Sequence, residues 1–130
     1  MGLIVDSSVW VCYFKSNTPL LLKKKIDVVV NDSSVVLCEP VLFELYRAAH
    51  LQELKILQDY FSTFSVLETP KDLWEKATQL GQICFSKGFK PSSLDLLIAQ
   101  IALHYKIPIL TFDKHLFAIT KISHLKCISI

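Results

Sequence analysis

Apolar residues in this chain fall into two kinds of run. The first kind is brief and largely unbroken: Leu3-Ile4-Val5, Val35-Val36-Leu37-Cys38, Ser65-Val66-Leu67, Pro108-Ile109-Leu110-Thr111 and Lys126-Cys127-Ile128-Ser129. These runs lack in/out alternation, which reads as strands covered on both faces. The second kind is longer, with apolar positions at helical spacing. One such segment runs from Ser7 to about Lys15 after the helix-start signal Asp6-Ser7-Ser8. A second opens at Thr18-Pro19 and carries Leu20, Leu21, Leu22, Ile26 and Val29 or Val30. A third opens at Glu39-Pro40, with Val41, Leu42, Leu45 and Ala48 on one side, and a fourth runs from about Leu51 to Phe64. A fifth follows Thr69-Pro70 to about Ser86 and ends near Gly88, and a sixth runs from Leu94 to about His104, capped by Pro91-Ser92-Ser93. Thr-Pro fits an N-cap followed by proline at the first helical position. Asn31–Ser34 reads as a turn, and Asp113 to Phe117 as a turn or short helix. Strands alternating with helices predict one α/β domain over residues 1–130, built on a parallel sheet.

Composition narrows the class. With 52% hydrophobic and 20% charged residues the chain is too apolar to be disordered, and 3 Gly and 5 Pro exclude a collagen-like or linker-like chain. No stretch approaches the roughly 18 to 20 apolar residues of a membrane span, so no membrane association is expected. Nothing ahead of Asp6 resembles a secretory signal, and a myristoylation site would want Ser or Thr where Asp6 stands. Cys12, Cys38, Cys84 and Cys127 form no Cys-x-x-Cys pair and read as reduced packing residues of a cytoplasmic protein. A net charge of +2 does not announce nucleic-acid binding by itself. Lys23–Lys25 fits the wet face of a helix.

The candidate chemistry is carboxylate chemistry. In an open parallel sheet, ligands bind beyond the carboxyl ends of the strands. Asp6 and Asp113 each follow a predicted strand, while Glu44 and Asp95 lie in helical segments among apolar neighbours. Each acid also has a plain structural role open to it. Asp6 and Asp113 fit N-caps, Asp95 fits the first turn of a helix, and Glu44 is placed to pair with Arg47 one turn on. Together they suggest more. Two like charges about 4 Å apart at an effective dielectric near 20 cost about 4 kcal/mol, so four converging carboxylates call for hard divalent cations such as Mg²⁺ or Mn²⁺.

Four segments carry a resemblance: Leu3-Ile4-Val5-Asp6-Ser7-Ser8-Val9-Trp10, Glu44-Leu45-Tyr46-Arg47, Ser93-Leu94-Asp95-Leu96-Leu97-Ile98-Ala99 and Thr111-Phe112-Asp113-Lys114-His115-Leu116-Phe117. In this order and spacing the chain resembles the PIN-domain ribonucleases, and among them the VapC toxins of toxin–antitoxin pairs. The resemblance implies a five-stranded parallel sheet in the order 3-2-1-4-5. It also implies a metal-dependent endoribonuclease with a small antitoxin as partner. The family's acidic quartet falls on Asp6, Glu44, Asp95 and Asp113, as both catalytic and metal-binding residues. Ser8 and Thr111 fall on supporting positions, Thr111 holding an acid or a water by its hydroxyl. Many relatives have a further acid two residues after the fourth; here that residue is His115, which is read as a surface or packing residue.

Mg²⁺ or Mn²⁺ bridging the carboxylates and a phosphate would give 5′-phosphate and 3′-hydroxyl products. No Gly-rich phosphate loop is present, which argues against nucleotide-binding alternatives. Lys87, Lys90 and Lys114 are the candidates for RNA contact, and Trp10 and Tyr13 could stack on bases. The apolar helices starting at Ser7 and Leu20 suggest a groove for an amphipathic antitoxin segment, and a twofold homodimer is the default assembly. The rival readings fit less well. A receiver-like signalling domain lacks its acid pair and its phospho-acceptor Asp, and a haloacid-dehalogenase-like phosphatase would want Asp where Ser8 stands. A PIN-like RNA- or protein-binding domain without catalysis is the remaining alternative.

Overall fold

Leu3–Val5 forms β1, and the sheet is laid out on either side of it in a computed structural model that describes residues 2–32 and 34–130. The chain then runs through α1 (Ser7–Phe14), α2 (Leu20–Val30), β2 (Val35–Val36), α3 (Glu39–Ala48), α4 (Leu51–Phe61), α5 (Leu73–Ser86), α6 (Ser93–Tyr105), β3 (Ile109–Leu110), α7 (Lys114–Ile119) and β4 (Cys127–Ile128). The four strands are all parallel, in the order β2-β1-β3-β4. Ile4 pairs with Val36 on one side and Ile109 on the other, and Leu110 pairs with Ile128. Ile4, Val5, Ile109 and Leu110 are buried, as the unalternating apolar runs require of a sheet covered on both faces.

The expected fifth strand is the main correction. Residues 65–67 lie beside β2, where the 3-2-1-4-5 order would put them, but only as a single parallel bridge between Leu37 and Val66. The Leu37 N–H donates to Ser65 and the Leu67 N–H to Leu37, and there the ladder stops. The reason lies in the partner. Cys38 is already the N-cap of α3, so beyond that one residue the backbone turns helical and the ladder has nothing to extend along.

Both Thr-Pro pairs start helices differently from expectation. Pro19 is itself the N-cap of α2, and the Thr18 hydroxyl donates to the Cys12 carbonyl at 2.7 Å, one of the carbonyls left over at the end of α1. The Thr69 hydroxyl donates to the Glu39 carboxylate, and α5 begins only at Leu73, after a turn closed onto the Pro70 carbonyl. In each case the hydroxyl is turned to that acceptor, and neither helix has a side-chain cap. Gly88, at φ 90, takes the chain out of α5 in the left-handed region where glycine carries no steric cost. Of the predicted turn at 31–34, Ser33 lies outside the described residues, and around it Asp32 accepts from the Ser34 N–H at 2.8 Å. Leu20 and Leu21 of α2 are exposed, while Ile26 and Val30 enter the core.

One end of the core is aromatic. The Trp10 ring stacks on Phe14 at 5.8 Å and meets Phe61 edge-on at 5.0 Å, tying α1 to α4. Trp10 is 0% exposed, which removes it as a base-stacking residue. Cys38 and Cys84 are buried in the same core, Cys12 and Cys127 are half-buried, and all four are free thiols. Among the described residues no helix is long and apolar enough to cross a membrane.

Candidate active site

β1 leads to β2 on one flank and β3 leads to β4 on the other, so strand order reverses between β1 and β3. A crevice at the carboxyl ends of these two strands follows from that reversal. Asp6 stands at the end of β1, its N–H donating to the Leu110 carbonyl at 2.9 Å. It occupies the N-cap position of α1, yet its side chain caps nothing. Instead Asp6 Oδ2 accepts from the Ser8 hydroxyl and from the Thr111 hydroxyl, each at 2.8 Å. Among the described residues Oδ1 receives no donor, which leaves that oxygen open to a cation.

Thr111 is 0% exposed and links two of the acids. While its hydroxyl donates to Asp6, its oxygen accepts from the Asp113 N–H at 2.9 Å. Ser8 works in parallel, its oxygen accepting from the Phe112 N–H at 3.1 Å. Between them the two hydroxyls fasten the end of β1 to the segment after β3. Asp113 caps α7 through Oδ1, which accepts from the His115 N–H at 2.8 Å.

The other two acids come from helices. Asp95 sits in the first turn of α6, its N–H donating to the Ser92 hydroxyl at 3.1 Å. Burial, and next the Asp113 carboxylate, push its carboxyl up to about 6, against the opposing pull of Ser92. Glu44 projects from α3 and accepts from the Ser7 hydroxyl. The suggested Glu44–Arg47 pair does not form among the described residues; Ser7, first residue of α1, takes the carboxylate instead.

Asp6, Glu44, Asp95 and Asp113 line one cavity of about 380 Å³, together with Ser7, Ser8 and Arg47. Of the lysines suggested for RNA, Lys114 directly follows Asp113, whereas Lys87 ends α5 and Lys90 lines a separate cavity against Leu96 and Phe85. Two residues deserve a larger part than the sequence gave them. Arg47, the one arginine, is exposed and is the cation of the acidic wall. His115 has its Nδ1 3.5 Å from Asp113 Oδ1, and one ligand atom from each of Asp95, Asp113 and His115 lie within 4.8 Å of one another. Ser7 carried no signal, since nothing local ties it to a residue 37 positions away.

A second cavity, about 590 Å³, lies beside the first and shares Val11, Leu45 and Ala48 with it. Its remaining wall is mostly apolar: Phe14, Ile56, Leu57 and Tyr60.

The family model described as the PIN domain matches residues 3–122. The chain belongs to the PIN-domain family. No curated protein matches this PIN domain by sequence. Among solved structures it is similar to VapBC2 from Rickettsia felis bound to a DNA fragment from its promoter (TM-score 0.78, 17% identity, 100% of this chain and 99% of that one). It is similar to VapBC-1 from nontypeable Haemophilus influenzae (TM-score 0.75, 16% identity, 99% and 98%). It is also similar to VapC20 from Mycobacterium tuberculosis, described as a Sarcin-Ricin loop cleaving toxin (TM-score 0.69, 19% identity, 90% and 94%). At these identities the likeness is one of fold: the PIN domain here has the fold of VapC toxins.

Proposed function

We propose that this PIN domain is a divalent-metal-dependent endoribonuclease, the toxin of a toxin–antitoxin pair, hydrolysing RNA phosphodiesters to 5′-phosphate and 3′-hydroxyl ends. The observation that carries this reading is the meeting of Asp6, Glu44, Asp95 and Asp113, from four separate elements, on the wall of one cavity. The donor set fits Mg²⁺ or Mn²⁺, because both take oxygen ligands and a carboxylate set of this charge needs a cation. Asp6, Glu44, Asp95 and Asp113 would hold it. When bound, the ion supplies positive charge for the phosphate and acidity for the attacking water. The protein's part is positioning. Ser8 and Thr111 fix Asp6 by one oxygen, Ser7 steadies Glu44, and Arg47 offers a planar, always-charged partner to an incoming phosphate.

The apolar groove supports the antitoxin half of the reading. An amphipathic segment packed on Phe14, Leu45, Ile56 and Tyr60 would lie next to the acids, and a basic side chain on it would reach into them and displace the metal. A twofold homodimer is the assembly we expect in solution.

The test is cleavage of RNA by the purified chain with Mg²⁺. Asp6→Asn, Glu44→Gln, Asp95→Asn and Asp113→Asn are each expected to lower the rate by about a thousandfold or more, with far-UV circular dichroism unchanged. Full activity of Asp6→Asn would overturn its role. Growth arrest on expression, relieved by a co-expressed partner, tests the toxin assignment, and an inert chain would favour a non-catalytic binding domain.

A further inference from the structure

We propose that His115 is itself a metal ligand and that its ring nitrogen tilts this centre toward first-row transition ions, Mn²⁺ among them, at the expense of Mg²⁺. The inference rests on the reading of the acidic cavity as a divalent-metal centre and adds to it the choice of ion. One ligand atom from each of Asp95, Asp113 and His115 already lie within 4.8 Å of one another. The Nδ1 of His115 is 3.5 Å from Asp113 Oδ1. Neighbouring ligands on bonds of about 2.1 Å stand about 3 Å apart in an octahedron, so a small closure completes that edge.

The approach is fixed at the backbone. The N–H of His115 donates to Asp113 Oδ1 at 2.8 Å, which roots the imidazole beside the carboxylate in the first turn of α7. Asp95 arrives from α6, a different element, so the trio is not a product of chain proximity alone. Nor is the ring a packing residue, because its side chain is 50% exposed. His115 meets the acidic cavity through Asp95 and Asp113, the two acids that belong both to its group and to the cavity wall. Chemistry then separates the ions. Carboxylate oxygens serve Mg²⁺ and Mn²⁺ alike. Imidazole nitrogen favours ions further along the transition series, and Mg²⁺ holds to oxygen and gives up its water reluctantly.

The test is pulsed electron paramagnetic resonance of Mn²⁺ bound to the purified full chain, with Mn²⁺ and Mg²⁺ affinities measured alongside. The expected spectrum shows coupling to an imidazole nitrogen. His115→Asn should abolish that coupling and weaken Mn²⁺ about tenfold, leaving Mg²⁺ within about threefold. His115→Asp, which restores an oxygen, should bind Mg²⁺ more tightly than the unaltered chain. Bound Mn²⁺ without nitrogen coupling, or coupling that survives His115→Asn, overturns the inference and leaves the carboxylate centre standing. Failure of the unaltered chain to take up Mn²⁺ or Mg²⁺ overturns both, and is recognised because Asp6→Asn then changes nothing.

Discussion

Two acids of the cavity wall are held by residues distant in the chain: Thr111 reaches Asp6 across 105 positions, and Ser7 reaches Glu44 across 37. On the far side of Val11, Leu45 and Ala48, the apolar groove is made of side chains from α1, α3 and α4 that simply stand beside one another. The two regions carry opposite costs. The cavity holds Asp95 as a buried carboxylate beside the Asp113 carboxylate, a cost that a bound cation would offset. The groove leaves Phe14 and Ile56 in water, 40% and 67% exposed, where burial against a partner would be favourable. A region kept at such a cost points to an occupant of complementary chemistry. One side suits a cation and a phosphate, the other an apolar segment.

Substitutions on either side of the shared wall can break this comparison. After the four acids themselves, the largest effect is expected at Thr111. Thr111→Val keeps the shape but removes the hydroxyl that joins Asp6 to Asp113, and should lower metal affinity and RNA cleavage by about 10- to 100-fold, with Thr111→Ser restoring both. Equal activity of the Val variant would mean that the link is incidental. On the groove side, Ile56→Asp should weaken binding of the partner segment by about tenfold, read by calorimetry, and leave cleavage unchanged. A matching loss of cleavage would show that the two regions are not separable.

The smallest effect concerns stability. The folded-state carboxyl of Asp95 is raised, so between about pH 4 and pH 6 the metal-free folded chain binds more protons than the unfolded one. Its contribution to stability therefore falls as pH rises through that window and stays low at pH 7. Asp95→Asn should stabilise the metal-free chain at pH 7 by up to about 2 kcal/mol, with the gain gone near pH 4, as measured by urea unfolding. A gain of the same size at both pH values would remove the ionised carboxylate as its cause.

Much of the fold was legible because its signals are local. Short apolar runs, helical spacing and the acid after each of two strands are properties of neighbouring residues, and they suffice for β1, β3 and the placement of Asp6 and Asp113 after them. The misreadings share the opposite property. The length of the strand at Val66 is set by where β2 gives way to α3, not by residues 65–67 themselves. Local pairing rules put Arg47 with Glu44, but Ser7 of another helix holds that carboxylate. Spacing alone leaves Trp10 open to base stacking or to packing; Phe14 is its neighbour on the same helix, but Tyr60, Phe61 and Phe64 are brought to it only by the packing of α4 and the residues just after it on α1. His115 reads from the sequence as a surface or packing residue and its side chain is half exposed, but its nearness to Asp95 is set by tertiary packing that no local pattern shows.

The shortness of the sheet's outer elements bears on how the molecule behaves in a crowd of its own copies. One margin ends in the single bridge at Val66 and the other in the two residues of β4, Cys127–Ile128. A margin this brief offers an approaching chain very few free amide and carbonyl groups to zip onto, so strand-to-strand aggregation finds little template. Copies of this protein at high concentration should therefore associate through helix faces, not by extending the sheet from one molecule to the next.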